Sequence, residues 1–193
     1  MSAFIDDTKL ENLSYLEIIP YLENKLKFDS TTYYHSLNVA CLCCLLLHKL
    51  DYPASNNLLL YYGGLFHDIG KTIVPTGILG KDHPLAIHEF DQIKEHPKLG
   101  FKILQKNNFP PEILFAALFH HEKYDGSGYP MGFEREEIPM IARIVNVCDV
   151  FDALTSDRPY RKAYSINKAL HIMADSEGQF DPNIFSTLYQ IIK

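Results

Sequence analysis

Residues 29–50 read DSTTYYHSLNVACLCCLLLHKL, and this stretch sets the fold class. It opens on cap-type residues, Asp29 to Thr32, and then carries apolar residues at helical spacing. His35, Val39, Leu42 and Leu46 stand at i, i+4, i+7 and i+11, on one face of a single long helix. A histidine therefore lies on the stripe that turns toward the core.

The same periodicity recurs along the chain. SNNLLLYYGGLFHDIGK (55–71) predicts a second helix, with Ser55 as its cap and Gly70 as its stop. Gly63–Gly64 weakens that helix, so close packing or a local break is expected there. After a loop with Pro75, Gly77 and Gly80, short helices are predicted over about 85–95 and 97–106, divided at His96-Pro97. Pro110-Pro111 opens the next, expected to run to about Tyr124 before DGSGYP ends it. IPMIARIVNVCDVFDALTS (138–156) predicts a long, mostly apolar helix. SINKALHIMADSEG (165–178) is capped by Ser165 and ended by Gly178, and Asp181-Pro182 starts a last helix. No repeat, low-complexity tract or sheet pattern interrupts this series. The class is all-α, a bundle of about seven to nine helices. Residues 1–28 form a short N-terminal helical segment and residues 29–193 the principal domain.

A chain of 193 residues suits one domain with at most a short attachment. It can bury roughly 70% of its unfolded surface, so it needs no disulfides. A formal charge of −6 excludes a general binder of nucleic-acid polymers, which needs a basic face. A small anion remains open to it, because local cations or metals reverse the local field. Cys41, Cys43 and Cys44 lie in an apolar run and Cys148 stands alone, so no zinc knuckle is built. Buried free thiols in a reducing compartment are expected. No apolar stretch reaches about 18 residues, and MSAFIDDTKLENLSYL does not read as a signal peptide. A cytoplasmic protein with no membrane partner is expected.

The polar residues inside apolar segments carry the chemistry. His67-Asp68 and His120-His121 each end an apolar helix, and Ala116 and Ala117 leave room beside the second pair. Asp149 interrupts IARIVNVCDVFDAL, where a carboxylate is costly unless paired, hydrogen-bonded or metal-bound. His96 stands at a helix junction. Singly, each has an ordinary explanation: a satisfied core histidine, half of a buried salt bridge, or an imidazole favoured by a helix C-terminus. Together, five histidines and two aspartates form a donor set suited to iron, manganese or zinc. Seven ligands also exceed what one tetrahedral ion uses. His48, His83, His88 and His171 lie at polar or helix-end positions and read as surface or structural.

At this point the sequence resembles a known family. His67-Asp68-Ile69-Gly70-Lys71 is similar to the HD-x-G-K motif of HD-domain phosphohydrolases. Residues 120–130, HHEKYDGSGYP, resemble the HH-E-x-x-D-G-x-G-Y-P signature of the HD-GYP subfamily. Residues 149–161, DVFDALTSDRPYR, resemble that subfamily's D-x-F-D-A-L-T-S-x-R-P-Y-R stretch. The likeness covers about residues 30–178.

The resemblance implies an HD-domain helical bundle and a phosphodiesterase of the second messenger cyclic di-GMP. It implies two divalent metal ions, iron or manganese first and zinc third. One would be held by His35, His67, Asp68 and Asp149, the other by Asp68 as a bridge with His96, His120 and His121. Two such cations roughly 3.5–4 Å apart hold a hydroxide between them as nucleophile. Asp68 and Lys71 are then the catalytic pair, with Lys71 placed for a non-bridging phosphate oxygen. Arg158 and Arg161 are candidates to clamp phosphate, the alternative being surface ion pairs. Asp125, Gly128 and Tyr129 belong to a loop beside the metals and are candidate substrate contacts; an ordinary turn is the alternative.

Two departures from the family pattern matter. Some members carry a glutamate four residues before the first ligand histidine, where it helps hold a third metal; here that residue is Thr31. A two-metal site, and a linear dinucleotide as product, are therefore expected. Only about 28 residues precede the first core helix, so no regulatory module is recognisable. That segment is expected to cap the bundle or to mediate a homodimer, with control left to a separate protein. The rival expectations are another cyclic dinucleotide or a nucleotide monoester as substrate, and a signalling module that binds nucleotide without turnover. The presence of all seven ligands favours an enzyme.

Overall fold

The computed structural model describes residues 15–27, 29–50, 56–79, 81, 86–158 and 161–193. Among these residues there is no strand. The helices are α1 (Tyr15–Leu26), α2 (Ser30–Leu47), α3 (Asn57–Phe66), α4 (Thr76–Leu79), α5 (Ile87–Lys94), α6 (His96–Lys106), α7 (Pro111–Phe119), α8 (Met140–Thr155), α9 (Ile166–Asp175) and α10 (Pro182–Ile192). Short 3-10 turns occupy Ile69–Ile73 and Arg135–Glu137. The all-α expectation holds. Helix number reaches the expected upper bound once the single turn of α4 is set aside.

Several predicted caps are present. Asp29 accepts from the backbone amides of Thr31 and Thr32, Ser165 from Lys168, and Asp181 from Asn183 and Ile184. Each satisfies amides that a first helical turn leaves without an intrahelical partner. Ser55 and His83 lie outside the described residues. Two helix ends differ from expectation. The second helix stops at Phe66 rather than at Gly70, and the chain tightens into the 3-10 turn that contains Gly70. α7 stops at Phe119 rather than near Tyr124. There the Glu122 carboxylate accepts from the amides of Met131 and Gly132, which folds the next segment back on the helix end.

Two apolar clusters share α2, α3 and α7. One gathers Val39, Cys43 and Leu46 with Leu60, Ile144, Val147, Leu170 and Leu188, joining α2 and α3 to α8, α9 and α10. The other sets Ile19, Leu22 and Leu26 of α1 against Ala40, Leu65, Phe66, Leu104 and Ile113. Burying apolar side chains of this size stabilises by roughly 1.5–3 kcal/mol each. The Gly63–Gly64 pair brings close packing, not a break. A Cβ on Gly64 would stand 2.8 Å from Ala40 Cα, so α3 lies backbone-to-backbone on α2. Cys43 and Cys148 are buried free thiols as expected, while Cys41 is exposed. The exposed face of α2 explains Cys41, which falls off the stripe of Val39 and Leu46. His48, His88 and His171 are exposed. No helix among the described residues is long and apolar enough to cross a membrane.

Candidate metal centre

Five elements each deliver part of the site. His35 stands in the second turn of α2, His67 and Asp68 directly follow α3, and His96 opens α6. His120 and His121 directly follow α7, and Asp149 lies within α8. α3 and α7 are apolar helices drawn lengthwise into the core, so their C-terminal ends are delivered to the interior with the ligands attached. The partial negative charge at those ends favours a cation there. His35, His67, Asp68, His96, His120 and Asp149 are buried, and His121 is half-buried.

Asp68 lies at the centre. Its Oδ1 is 3.1 Å from His96 Nε2 and 3.8 Å from His120 Nε2. Its Oδ2 faces the other way, 3.4 Å from His67 Nε2 and 3.9 Å from His35 Nε2. Asp149 Oδ1 is 2.9 Å from His35 Nε2 and 3.8 Å from His67 Nε2. Two ligand groups result: Asp68, His96, His120 and His121 on one side, and His35, His67 and Asp149 on the other. Within each group the donor atoms lie within 4.8 Å of one another.

The tautomers follow from the outer ring nitrogens. A carbonyl oxygen only accepts, so the nitrogen beside it carries the hydrogen. His67 Nδ1 donates to Gly64 O at 2.7 Å, His96 Nδ1 to Ile93 O at 2.7 Å, and His120 Nδ1 to Ala117 O at 2.9 Å. The three Nε2 atoms are then bare lone pairs. His96 Nε2 and His120 Nε2 nevertheless face each other at 3.2 Å, and His96 Nε2 faces a carboxylate. His67 Nε2 and Asp68 Oδ1 are buried with no hydrogen-bond partner. Acceptors packed against acceptors repel, and unsatisfied buried atoms are costly. A cation between them turns each contact into an attraction, so the donor set fits a metal.

The local charges agree. Burial alone would push the Asp149 carboxyl up; the His35 hydrogen bond and nearby imidazoles reverse this and hold it well below the usual carboxylate range. Asp68, equally buried, is held well below that range by Lys71 and His67. Lys71 Nζ is 2.5 Å from Asp68 Oδ2. Burial pulls the His120 imidazole well below its ordinary value, leaving it neutral as a ligand must be. His35 differs: burial pulls on it too, yet its bonds to Asp149 and Asp152 raise it to about 9, so a cation at its Nε2 would have to displace that proton.

The remaining predicted site residues divide. Arg158 Nη2 is 3.2 Å from His35 Nδ1, beside a cavity of about 210 Å³ lined by Thr31, Tyr34, His35, Asn38, Asp157 and Arg158. Tyr129 stacks on His121 with ring centroids 4.8 Å apart. Burial and the charges of Asp68 and Asp149 push the Tyr129 phenol above its ordinary range. Gly128 lies on the helix end behind the ligands, where a Cβ would stand 2.3 Å from Lys123 N. Asp125 accepts from Ser127 N and Ser127 Oγ and closes its own turn. Arg161 donates to Ala153 O, Leu154 O and Lys162 O and stacks on Tyr164. Asp125 and Arg161 are thus engaged in local structure.

Three residues at the site were not singled out from sequence. Asp152 Oδ2 is 2.6 Å from His35 Nδ1, and its other oxygen accepts from Asn38 and Ser156. Its position three residues beyond Asp149 on one helix was the available signal. Asn146, again three residues from Asp149 but toward the N-terminus, donates to His120 O at 2.8 Å. Glu122, inside the histidine motif, is buried and anchors the loop that carries Tyr129.

The chain is similar to known proteins over most of its length. The family model described as HD domain matches residues 19–184. The chain is 35% identical over 192 residues to cyclic di-GMP phosphodiesterase PA4108 of Pseudomonas aeruginosa, covering 99% of this chain and 46% of that protein. It is 36% identical over 178 residues to 3'3'-cGAMP-specific phosphodiesterase 3 of Vibrio cholerae, covering 91% of this chain and 39% of that protein. It spans less than half the length of both relatives. Among solved structures, Bd1817, an HDG"Y"P protein from Bdellovibrio bacteriovorus, shares the fold with a TM-score of 0.71 at 20% identity, over 92% of this chain and 63% of that one. HD-domain phosphohydrolases are metal-dependent, and with the family model matched over most of its length, this chain belongs to the HD-domain family.

Proposed function

We propose that this chain is a metal-dependent phosphodiesterase that opens one ester of cyclic di-GMP and releases the linear dinucleotide. One observation carries the reading: Asp68 divides its two oxygens between two imidazole groups whose lone pairs point inward. His35, His67, Asp68 and Asp149 would hold one cation, and Asp68, His96, His120 and His121 the other, with iron or manganese preferred to zinc. Two cations there would supply an activated water and offset the charge that develops on phosphate.

The chain's own residues do the rest. Backbone carbonyls and Asp152 fix the ligand rings, so no reorientation is required as charge develops. Lys71, held against Asp68, is placed to meet a non-bridging oxygen beside that carboxylate. Arg158, at the edge of the cavity next to His35, offers a bidentate contact to phosphate. Arg161 and Asp125 act one step removed, by shaping the segments that carry Arg158 and Tyr129. Thr31 offers only a hydroxyl to the cavity. The one carboxylate among its described lining residues, Asp157, is engaged by Lys162 and the Ala163 amide, which favours two cations over three. Residues 29–193 would form the catalytic unit, with α1 as its cap, acting in the cytoplasm. The relative named for 3'3'-cGAMP, as similar as the one named for cyclic di-GMP, supports a second reading in which a mixed cyclic dinucleotide is cleaved.

The test is product analysis on anaerobically purified protein loaded separately with iron, manganese and zinc. Substrates are cyclic di-GMP, 3'3'-cGAMP, cyclic di-AMP and a nucleotide monoester. A linear dinucleotide from cyclic di-GMP is expected. Failure of the metal-loaded protein on every cyclic dinucleotide removes the proposal, and tight binding without product would identify a signalling module instead.

A further inference from the structure

α5 stands beside His96 with side chains that the centre does not use. None of its residues is buried, and Ile87 and Phe90 are 84% and 48% exposed. Single exposed apolar residues are common and need no explanation. Phe90, however, is part of a connected row. Lys94 Nζ stands 4.8 Å from the Phe90 ring centroid and 5.7 Å from that of Tyr129, and Tyr129 stacks on His121. An ammonium is therefore held between two aromatic rings, directly outward from a ligand imidazole. The row is also tied to the centre from below. The Ile93 carbonyl, in the same last turn of α5, accepts the Nδ1 hydrogen of His96.

We propose that Phe90 and Lys94 form, with Tyr129, the wall that receives a base of the substrate, and that Lys94 favours guanine over adenine there. The inference rests on the cyclic dinucleotide reading above and adds the base specificity that the shared motifs leave open. Once a phosphate of a cyclic dinucleotide sits at the centre, its flat purines must lie against the side walls. An exposed phenylalanine face is a stacking platform for any base. An ammonium only donates; guanine presents two acceptors, N7 and O6, on one edge, whereas adenine replaces the second with a donating amino group. Lys94 therefore discriminates, and Phe90 does not. The negative substrate also complements the cation at the rim.

The experiment compares Phe90→Ala, Lys94→Met and Lys94→Arg with the wild type, all as the full metal-loaded chain. It reads kcat, KM, calorimetric Kd for cyclic di-GMP and cyclic di-AMP, and metal content. Phe90→Ala should raise KM and Kd for both ligands roughly ten-fold, with kcat and metal content kept. Lys94→Met should raise them roughly ten-fold for cyclic di-GMP and less than about two-fold for cyclic di-AMP, with Lys94→Arg restoring most of the loss. Unchanged KM in Phe90→Ala overturns the wall, as would be found if a protein partner were the natural cover of Ile87 and Phe90. Loss of metal or a fall in kcat alone also overturns it, because α5 would then act only through His96. Equal losses on both ligands in Lys94→Met overturn the guanine preference. A wild type that holds metal yet neither binds nor cleaves a cyclic dinucleotide sinks the underlying reading, before any variant is compared.

Discussion

The two halves of the ligand cluster are built differently. On the side of His96 and His120 the rings are oriented by main-chain carbonyls, Ile93 O and Ala117 O. On the other side His67 is likewise held by Gly64 O, but His35 is oriented by a carboxylate, Asp152, which is itself held by Asn38 and Ser156. A carbonyl fixes a ring's direction and tautomer and cannot be removed by substitution. A carboxylate does the same and adds negative charge, which makes the ligand more basic. The His35 half is therefore the tunable one, and substitutions should separate the two.

Asp68→Ala strikes both halves at once. It should abolish turnover and remove at least one cation per chain, read by metal analysis beside the activity assay; retained activity would contradict the bridging role. Asp152→Ala should weaken only the His35 half, lowering affinity for that cation roughly 10–100-fold while the other stays bound. Stepwise metal titration would show it, and equal weakening of both sites would erase the proposed asymmetry. Lys71→Ala and Arg158→Ala should each lower kcat/KM by roughly ten-fold or more with metal content intact, the size expected for a hydrogen bond to a charged group. Metal loss in either would mean that the residue supports the ligands rather than the substrate. The smallest effect belongs to Arg161→Ala. It should cost about 1–2 kcal/mol of stability through the lost carbonyl contacts at the end of α8, measured by denaturant melts. A defect confined to substrate affinity at full stability would restore Arg161 to the substrate.

The helices, and the donor residues that gather around Asp68, were legible in the sequence for a local reason. Caps at Asp29, Ser165 and Asp181 act within their own first turns, and His35 lies on an apolar stripe that three further residues define. The misread end of α7 has a non-local cause. Phe119, His120 and His121 continue an apolar pattern, but Glu122 is claimed by amides nine and ten residues away and Gly128 folds onto Lys123. Periodicity has no access to such returns. Spacing put Asp152 one turn beyond Asp149 on the same helix, and no more than that. Its role depends on His35, 117 positions earlier, which no spacing rule within α8 reveals. Asp125 and Arg161 show that motif residues can also be engaged by their own loops, through Ser127 and through carbonyls at the end of α8.

Gly70 sets one further consequence. A Cβ there would stand 2.0 Å from His96 O and 2.6 Å from Gly100 N, so bare main chain passes bare main chain between Asp68 and His96. The gauge of the whole centre is thus the thickness of a peptide, and a single methyl group would act as a shim. Gly70→Ala should leave every donor atom in the sequence yet prise the two halves apart, which makes a position without a side chain the tightest fit among the described glycines.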